Sequence, residues 1–162
     1  MTRAGVPVIL YVAVAPGQDP EPHMAACRAF ADGYGWHVHA ELVDRLDAAG
    51  RRRYRATARQ ALESGRVRGL LTYARPMLAT LSEDWAELAD WAGEHGAFVE
   101  AVWRPADAEG QLVCDTATGC VGQLQAVYSP GTAWLRPHPG GGVEWTAHPD
   151  HLAPVDLAAV TA

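Results

Sequence analysis

The feature that most constrains the fold is an alternation of strand and helix signals over the first hundred residues, which stops at Arg104-Pro105. Pro7–Val14 is apolar on both faces, the pattern of a central strand in a parallel sheet. Pro20–Tyr34 carries Met24, Cys27, Phe30, Ala31 and Tyr34 on one helical stripe, and Gly33 and Gly35 mark its end. Trp36–Asp44 alternates apolar with polar residues, as a half-covered strand near a sheet edge does. A second helix is expected over Arg51–Ser64, stopped by Gly65, and a short apolar strand over Gly69–Tyr73. Ser82–His95 reads as a third helix, with Ser82 as N-cap and Glu83 and Asp84 suited to the positive end of its dipole. Ala97–Val102 is the fourth strand. Strands separated by helices at this spacing form a parallel sheet with helices on both faces.

Beyond Arg104 the pattern changes. Strand signals over Gln111–Cys114, Cys120–Tyr128, Thr132–Arg136 and Val143–Ala147 are separated by turn residues, and Pro149-Asp150-His151-Leu152 reads as a final turn. Four strands in so short a stretch suggest a small curled antiparallel sheet or barrel, similar to Src-homology-type barrels. Such a module is marginal alone and is expected to pack on the first domain. The expected division is therefore an α/β domain over 1–104, a small β-barrel-like module over 105–157 and a frayed tail over 158–162.

Charge is placed unevenly. All cations are arginine, a bias that suggests a GC-rich genome more than a function. Residues 1–105 hold 12 Arg against 13 acidic residues, and residues 106–162 hold 1 Arg against 6. A surface that grips a phosphate backbone shows the opposite balance, so the acidic second part is a poor DNA-binding domain. No apolar run reaches the roughly 18–20 residues of a membrane helix, and Val6–Ala15 lacks the basic start and cleavage site of a secretory signal. The expected compartment is cytoplasmic. Cys27, Cys114 and Cys120 do not make a disulfide framework and read as free thiols.

Tyr11-Val12-Ala13-Val14-Ala15 followed by Gln18 resembles the opening strand of the serine recombinases (the resolvase/invertase family), whose pattern is Tyr-x-Arg-Val-Ser with a Gln shortly after. Tyr11, Val14 and Gln18 match. Further likenesses follow in order: Gly35-Trp36-His37-Val38 at a strand start, then Gly65-Arg66-Val67-Arg68-Gly69-Leu70-Leu71 leading into the third strand. The resemblance covers about residues 7–103 and implies a resolvase-like parallel sheet flanked by helices. It also implies a missing chemistry. The nucleophile position is Ala15 and the preceding arginine position is Ala13, so no covalent protein–DNA bond can form there. Of the later family motif Asp-Arg-Leu-x-Arg, Ala74-Arg75-Pro76-Met77-Leu78 keeps only Arg75. No amphipathic helix beyond residue 104 is long enough for the family's dimerisation helix or its DNA-reading domain.

The residues themselves suggest several candidate sites. Arg51, Arg55 and Arg59 lie at i, i+4, i+8 of the expected second helix and, with Arg75, are the DNA- or anion-binding candidates, although a solvated helix face is the usual meaning of such a run. Trp134, Arg136 and Trp145 flank a Gly-rich turn; the two tryptophans could pack as a cross-strand pair or line a groove for a peptide. His37, His39 and Glu41 could hold a metal but read better as a polar strand edge. No catalytic residue, metal or cofactor is expected. The leading expectation is a non-catalytic pseudo-recombinase that acts as a regulatory or protein-interaction module with a protein partner and no membrane. The alternatives are a DNA-binding accessory protein that does not cleave, and a small-molecule binder or enzyme with a relocated site near Ala15, Asp44 and Arg75.

Overall fold

Eight consecutive residues with no charge set the centre of the molecule. In the computed structural model, which describes residues 5–47, 49, 51–79, 83–128 and 131–155, strand β1 (Pro7–Val14) is buried along all but its first residue. Strands β2 (His37–Arg45), β3 (Gly69–Thr72) and β4 (Phe98–Ala101) join it in a parallel sheet of order β2-β1-β3-β4. Helix α1 (Glu21–Gly33) connects β1 to β2, and α2 (Arg55–Glu63) connects β2 to β3 on the other side of β1. The chain thus leaves β1 in one direction and returns to its opposite neighbour. That reversal opens a crevice at the carboxyl ends of β1 and β3.

The helices follow their sequence stripes. In α1, Met24, Cys27 and Ala31 are buried with His23, while Tyr34 falls past the helix end and is exposed. Gly69 allows β3 to sit close to its neighbours: a Cβ there would lie 2.4 Å from the Phe98 ring and 2.8 Å from Val8 Cγ1. After β3 comes a single turn, α3 (Arg75–Leu78), which the sequence did not announce. Helix α4 (Trp85–Glu94) is capped by Asp84, whose carboxylate accepts from the Ala86 N–H at 2.9 Å. The expected cap, Ser82, lies outside the described residues, as does the tail over 158–162.

The second expected helix is shorter than its sequence pattern. It begins at Arg55 rather than Arg51, because the preceding segment is held by tertiary bonds: Tyr54 N–H donates to the Asp44 carboxylate, and Arg52 donates to carbonyls of α3. Arg51 therefore does not share a helical face with Arg55 and Arg59.

Beyond a short turn at Pro105–Asp107, five strands form an antiparallel sheet: β5 (Leu112–Asp115), β6 (Cys120–Tyr128), β7 (Thr132–Pro137), β8 (Trp145–Ala147) and β9 (Leu152–Pro154). Their order is β8-β7-β6-β5-β9. Four of these were expected; β9 forms where only a turn had been read. Val113, Leu124, Ala133, Leu135 and Leu152 make its core, joined by Ala108, with Trp103 and Trp145 packed against it. Asp115, buried at the β5–β6 turn, accepts from Ala117 N–H at 3.1 Å, Thr118 O–H at 3.0 Å and Trp145 Nε1–H at 3.1 Å. The second sheet is seated on the first through α3, which lies against the 149–151 turn and β9. Among the described residues no helix is long and apolar enough to cross a membrane.

Candidate functional site

The β module lies against the carboxyl edge of the parallel sheet, and an open-sided cleft of about 300 Å³ remains between the two. Ala13 and Ala15 at the end of β1 form its floor. Gln18, Leu46, Arg52 and the α3 residues Pro76 and Met77 supply one wall, with Ala79 and Glu83 beyond. Thr116, Asp150, His151 and Ala153 of the β module close the other side. Its size is at the lower end of the roughly 300–1,000 Å³ of small-molecule sites.

Beneath the floor lies a buried polar pair. Tyr11, fully buried, donates its hydroxyl to Asp44 Oδ2 at 2.8 Å. Burial first, and the Asp44 bond second, push the Tyr11 phenol well above its ordinary pKa. Asp44 also accepts from the Tyr54 N–H at 3.1 Å. Among the described residues no arginine pairs with Asp44; the carboxylate instead anchors the lead-in to α2. Thr72 Oγ1, at the end of β3, is buried without a partner.

The arginines of this edge face inward. Arg52 donates from Nη1 to Met77 O at 2.8 Å and from Nη2 to Pro76 O at 2.9 Å. Burial lowers its pKa from the usual arginine value. Arg55 donates from Nε to Leu78 O at 2.8 Å and pairs with Glu83. Arg59 lies 3.6 Å from Glu83 and has its guanidinium 4.4 Å from the Trp91 ring centre. Arg75 pairs with Asp150 across the seam between the sheets, 5.3 Å over the ring of Trp85, and its Nε is buried without a partner. Arg51 stands apart, 76% exposed, with Asp47 at 2.5 Å. Of the four anion-binding candidates, three thus engage carboxylates that belong to the folded core or the seam, and the fourth makes a local surface pair.

The aromatic candidates separate onto two faces of the second sheet. In the β7–β8 register Trp134 stands opposite Thr146 and Leu135 opposite Trp145. Adjacent positions on a strand point to opposite faces, so Trp134 and Trp145 do not form a cross-strand pair. Trp145 packs inward over Gly122, where a Cβ would lie 2.6 Å from the indole. Trp134 is 40% exposed and donates from Nε1 to Glu144 at 2.6 Å, and Arg136 Nε donates to the same carboxylate at 2.9 Å. His37 and His39 are exposed on the edge strand β2, and Glu41 is held by Arg28 at 2.6 Å.

Several cleft residues were not singled out from the sequence. Arg52 lies off the Arg51, Arg55, Arg59 repeat and is placed by its bonds to the α3 carbonyls. Asp150, His151 and Ala153 carry no local signal, because only the seating of the β module brings them to the sheet edge.

No protein-family model matches the chain, and no curated protein sequence matches it. Solved structures do. The C-terminal catalytic domain of ISC1926 TnpA, an IS607-like serine recombinase, superposes with a TM-score of 0.52 at 17% identity, covering 60% of this chain and 68% of that one. The N-terminal catalytic domain of TP901-1 integrase superposes with a TM-score of 0.49 at 18% identity, covering 59% of this chain and 76% of that one. With the parallel order β2-β1-β3-β4 and the flanking helices, the first of these likenesses identifies the first hundred residues as a resolvase-like catalytic-domain fold.

Proposed function

We propose that this protein is a non-cleaving, recombinase-fold module that works through a protein partner as a regulatory or interaction component. The observation that carries the reading is the floor of the cleft: Ala13 and Ala15 stand at the end of β1, where the resemblance puts an arginine and the nucleophilic serine. Strand cleavage by this family needs an oxygen nucleophile and several cations around one phosphate. Alanine supplies neither. The engagement of Arg55, Arg59 and Arg75 by Glu83 and Asp150 supports the same reading, since cations held by the fold's own carboxylates are poorly placed to meet a phosphate backbone.

The test is capture of covalent protein–DNA adducts on a nicked, strand-trapping duplex. The chain should form none. The double variant Ala13→Arg, Ala15→Ser should also form none, because the arginines committed to Glu83 and Asp150 are untouched. Adducts with the unaltered chain would refute the reading. Adducts with the double variant alone would show that two residues account for the whole loss.

A further inference from the structure

We propose that the cleft between the two sheets binds a small organic monocarboxylate with an apolar body. This goes beyond the non-cleaving reading and does not depend on it: the argument uses the cleft as it stands. Its floor and much of its walls are apolar, made by Ala13, Ala15, Leu46, Met77, Ala79 and Ala153. Such a surface gains from burying hydrocarbon, at about 25 cal/mol per Å² removed from water.

The charged residues decide what the rest of the ligand must be. Three carry formal charge in the lining: Glu83, Asp150 and Arg52. Glu83 has Arg55 and Arg59 against it, and Asp150 has Arg75. Arg52 is different. Among the described residues no carboxylate lies within ion-pair distance of it; Asp44 and Glu83 act on it only from further away. Two of its five N–H groups are held by the carbonyls of Pro76 and Met77, which fixes the guanidinium and leaves three donors. A partly buried cation without a counter-ion is costly, and a carboxylate accepting from two of its N–H groups offsets that cost.

The same charges exclude other classes. A dianion such as a phosphate monoester would meet the fields of Glu83 and Asp150 across a small cleft. An amine would compete with arginines already in place on those acids. An anion with a single charge and a short hydrocarbon body suits both halves of the lining. Because the walls come from both sheets, such a ligand would also fasten the β module to the parallel sheet, beside the Arg75–Asp150 pair.

The experiment is calorimetric titration of the full chain with hexanoate, 4-phenylbutyrate and indole-3-acetate, each beside its primary amide, and with inorganic phosphate. At least one carboxylate should bind at or below about 1 mM and about tenfold or more tighter than its amide. Ala15→Leu, which fills the floor, should abolish binding of both. Arg52→Gln should weaken the carboxylate more than the amide and so bring the two affinities together. If that variant does not fold, the carboxylate–amide difference and Ala15→Leu decide the matter. No carboxylate binding, equal affinity for acid and amide, or binding unchanged in Ala15→Leu would overturn the proposal. So would phosphate binding as tightly as the best carboxylate.

Discussion

The two sheets of this protein are stabilised by different means. The parallel sheet is built on β1, whose residues from Val8 to Val14 are all buried, and its core takes in side chains from every helix around it. The antiparallel sheet has a buried cluster of six small and medium residues. It compensates with polar anchors: buried Asp115 holds the β5–β6 turn and Trp145, and Asp150 ties the module to Arg75. The first region rests chiefly on apolar burial. The second depends on a few directional bonds and on its seat against α3. A ligand site at the join is where such a difference matters, because the weaker region forms one of its walls.

Cysteines placed in both regions allow the comparison to be broken or sharpened. Cys27 is buried in the parallel-sheet core, Cys114 is buried in the module and Cys120 is exposed as an internal control. The largest effects are expected from core truncation. Leu10→Ala in β1 should cost about 2–5 kcal/mol in chemical denaturation and make Cys27 and Cys114 label together, since the module loses its seat. Leu124→Ala in β6 should cost a similar amount but expose Cys114 to a thiol reagent well before Cys27. Equal labelling rates in that variant would show one cooperative unit and erase the distinction.

Asp115→Ala comes next. It removes the acceptor for Ala117, Thr118 and Trp145, with an expected loss of about 1–3 kcal/mol confined to Cys114 labelling. Alkaline pH should weigh more on the other region, where Cys27 is the thiol shifted furthest, although burial also raises the Cys114 thiol of the module. Burial pushes the Cys27 thiol from 9.0 up to about 12, and the Tyr11 phenol is also raised. The folded chain then keeps protons that the unfolded chain releases. Stability contributed by the neutral thiol is intact below pH 9 and falls as pH rises toward 12. Denaturation at pH 8 and pH 10 should differ by about 1–2 kcal/mol, and Cys27→Ala should reduce the difference. The smallest effects belong to ion pairs. A double-mutant cycle on Arg75 and Asp150, partly buried at the seam, should give a coupling of up to about 1 kcal/mol, and the exposed Arg51–Asp47 pair nearly none.

Most of the first region was legible in the sequence, because its elements are dictated by local periodicity. The apolar run of β1, the α1 stripe and the glycines at helix ends place the parallel sheet within a residue or two at most boundaries. What was not legible was set at a distance. Arg51 to Tyr54 continues the i, i+4 spacing read from Arg51, yet the Asp44 carboxylate and the α3 carbonyls hold it out of the helix. The single turn α3 has too few residues to show a period. In β9, three residues ending in proline give no strand signal, and the strand exists because β5 offers it an edge. A site near Ala15, Asp44 and Arg75 was the last of the readings; the cleft does lie at Ala15, but neither Asp44 nor Arg75 lines it, and its far wall carried no signal. No local pattern tells that Asp150 and His151 will be brought against α3.

The central claim is that Arg55, Arg59 and Arg75 are engaged by the fold's own carboxylates and do not present a phosphate-binding surface. The most direct measurement is fluorescence anisotropy with labelled duplex DNA at about 50 and about 200 mM salt, the range over which phosphate contacts weaken steeply. The account predicts no saturable binding at the lower salt. Tight binding at the lower salt, weakened steeply at the higher and abolished by changing Arg51, Arg55 and Arg59 to alanine, would contradict it.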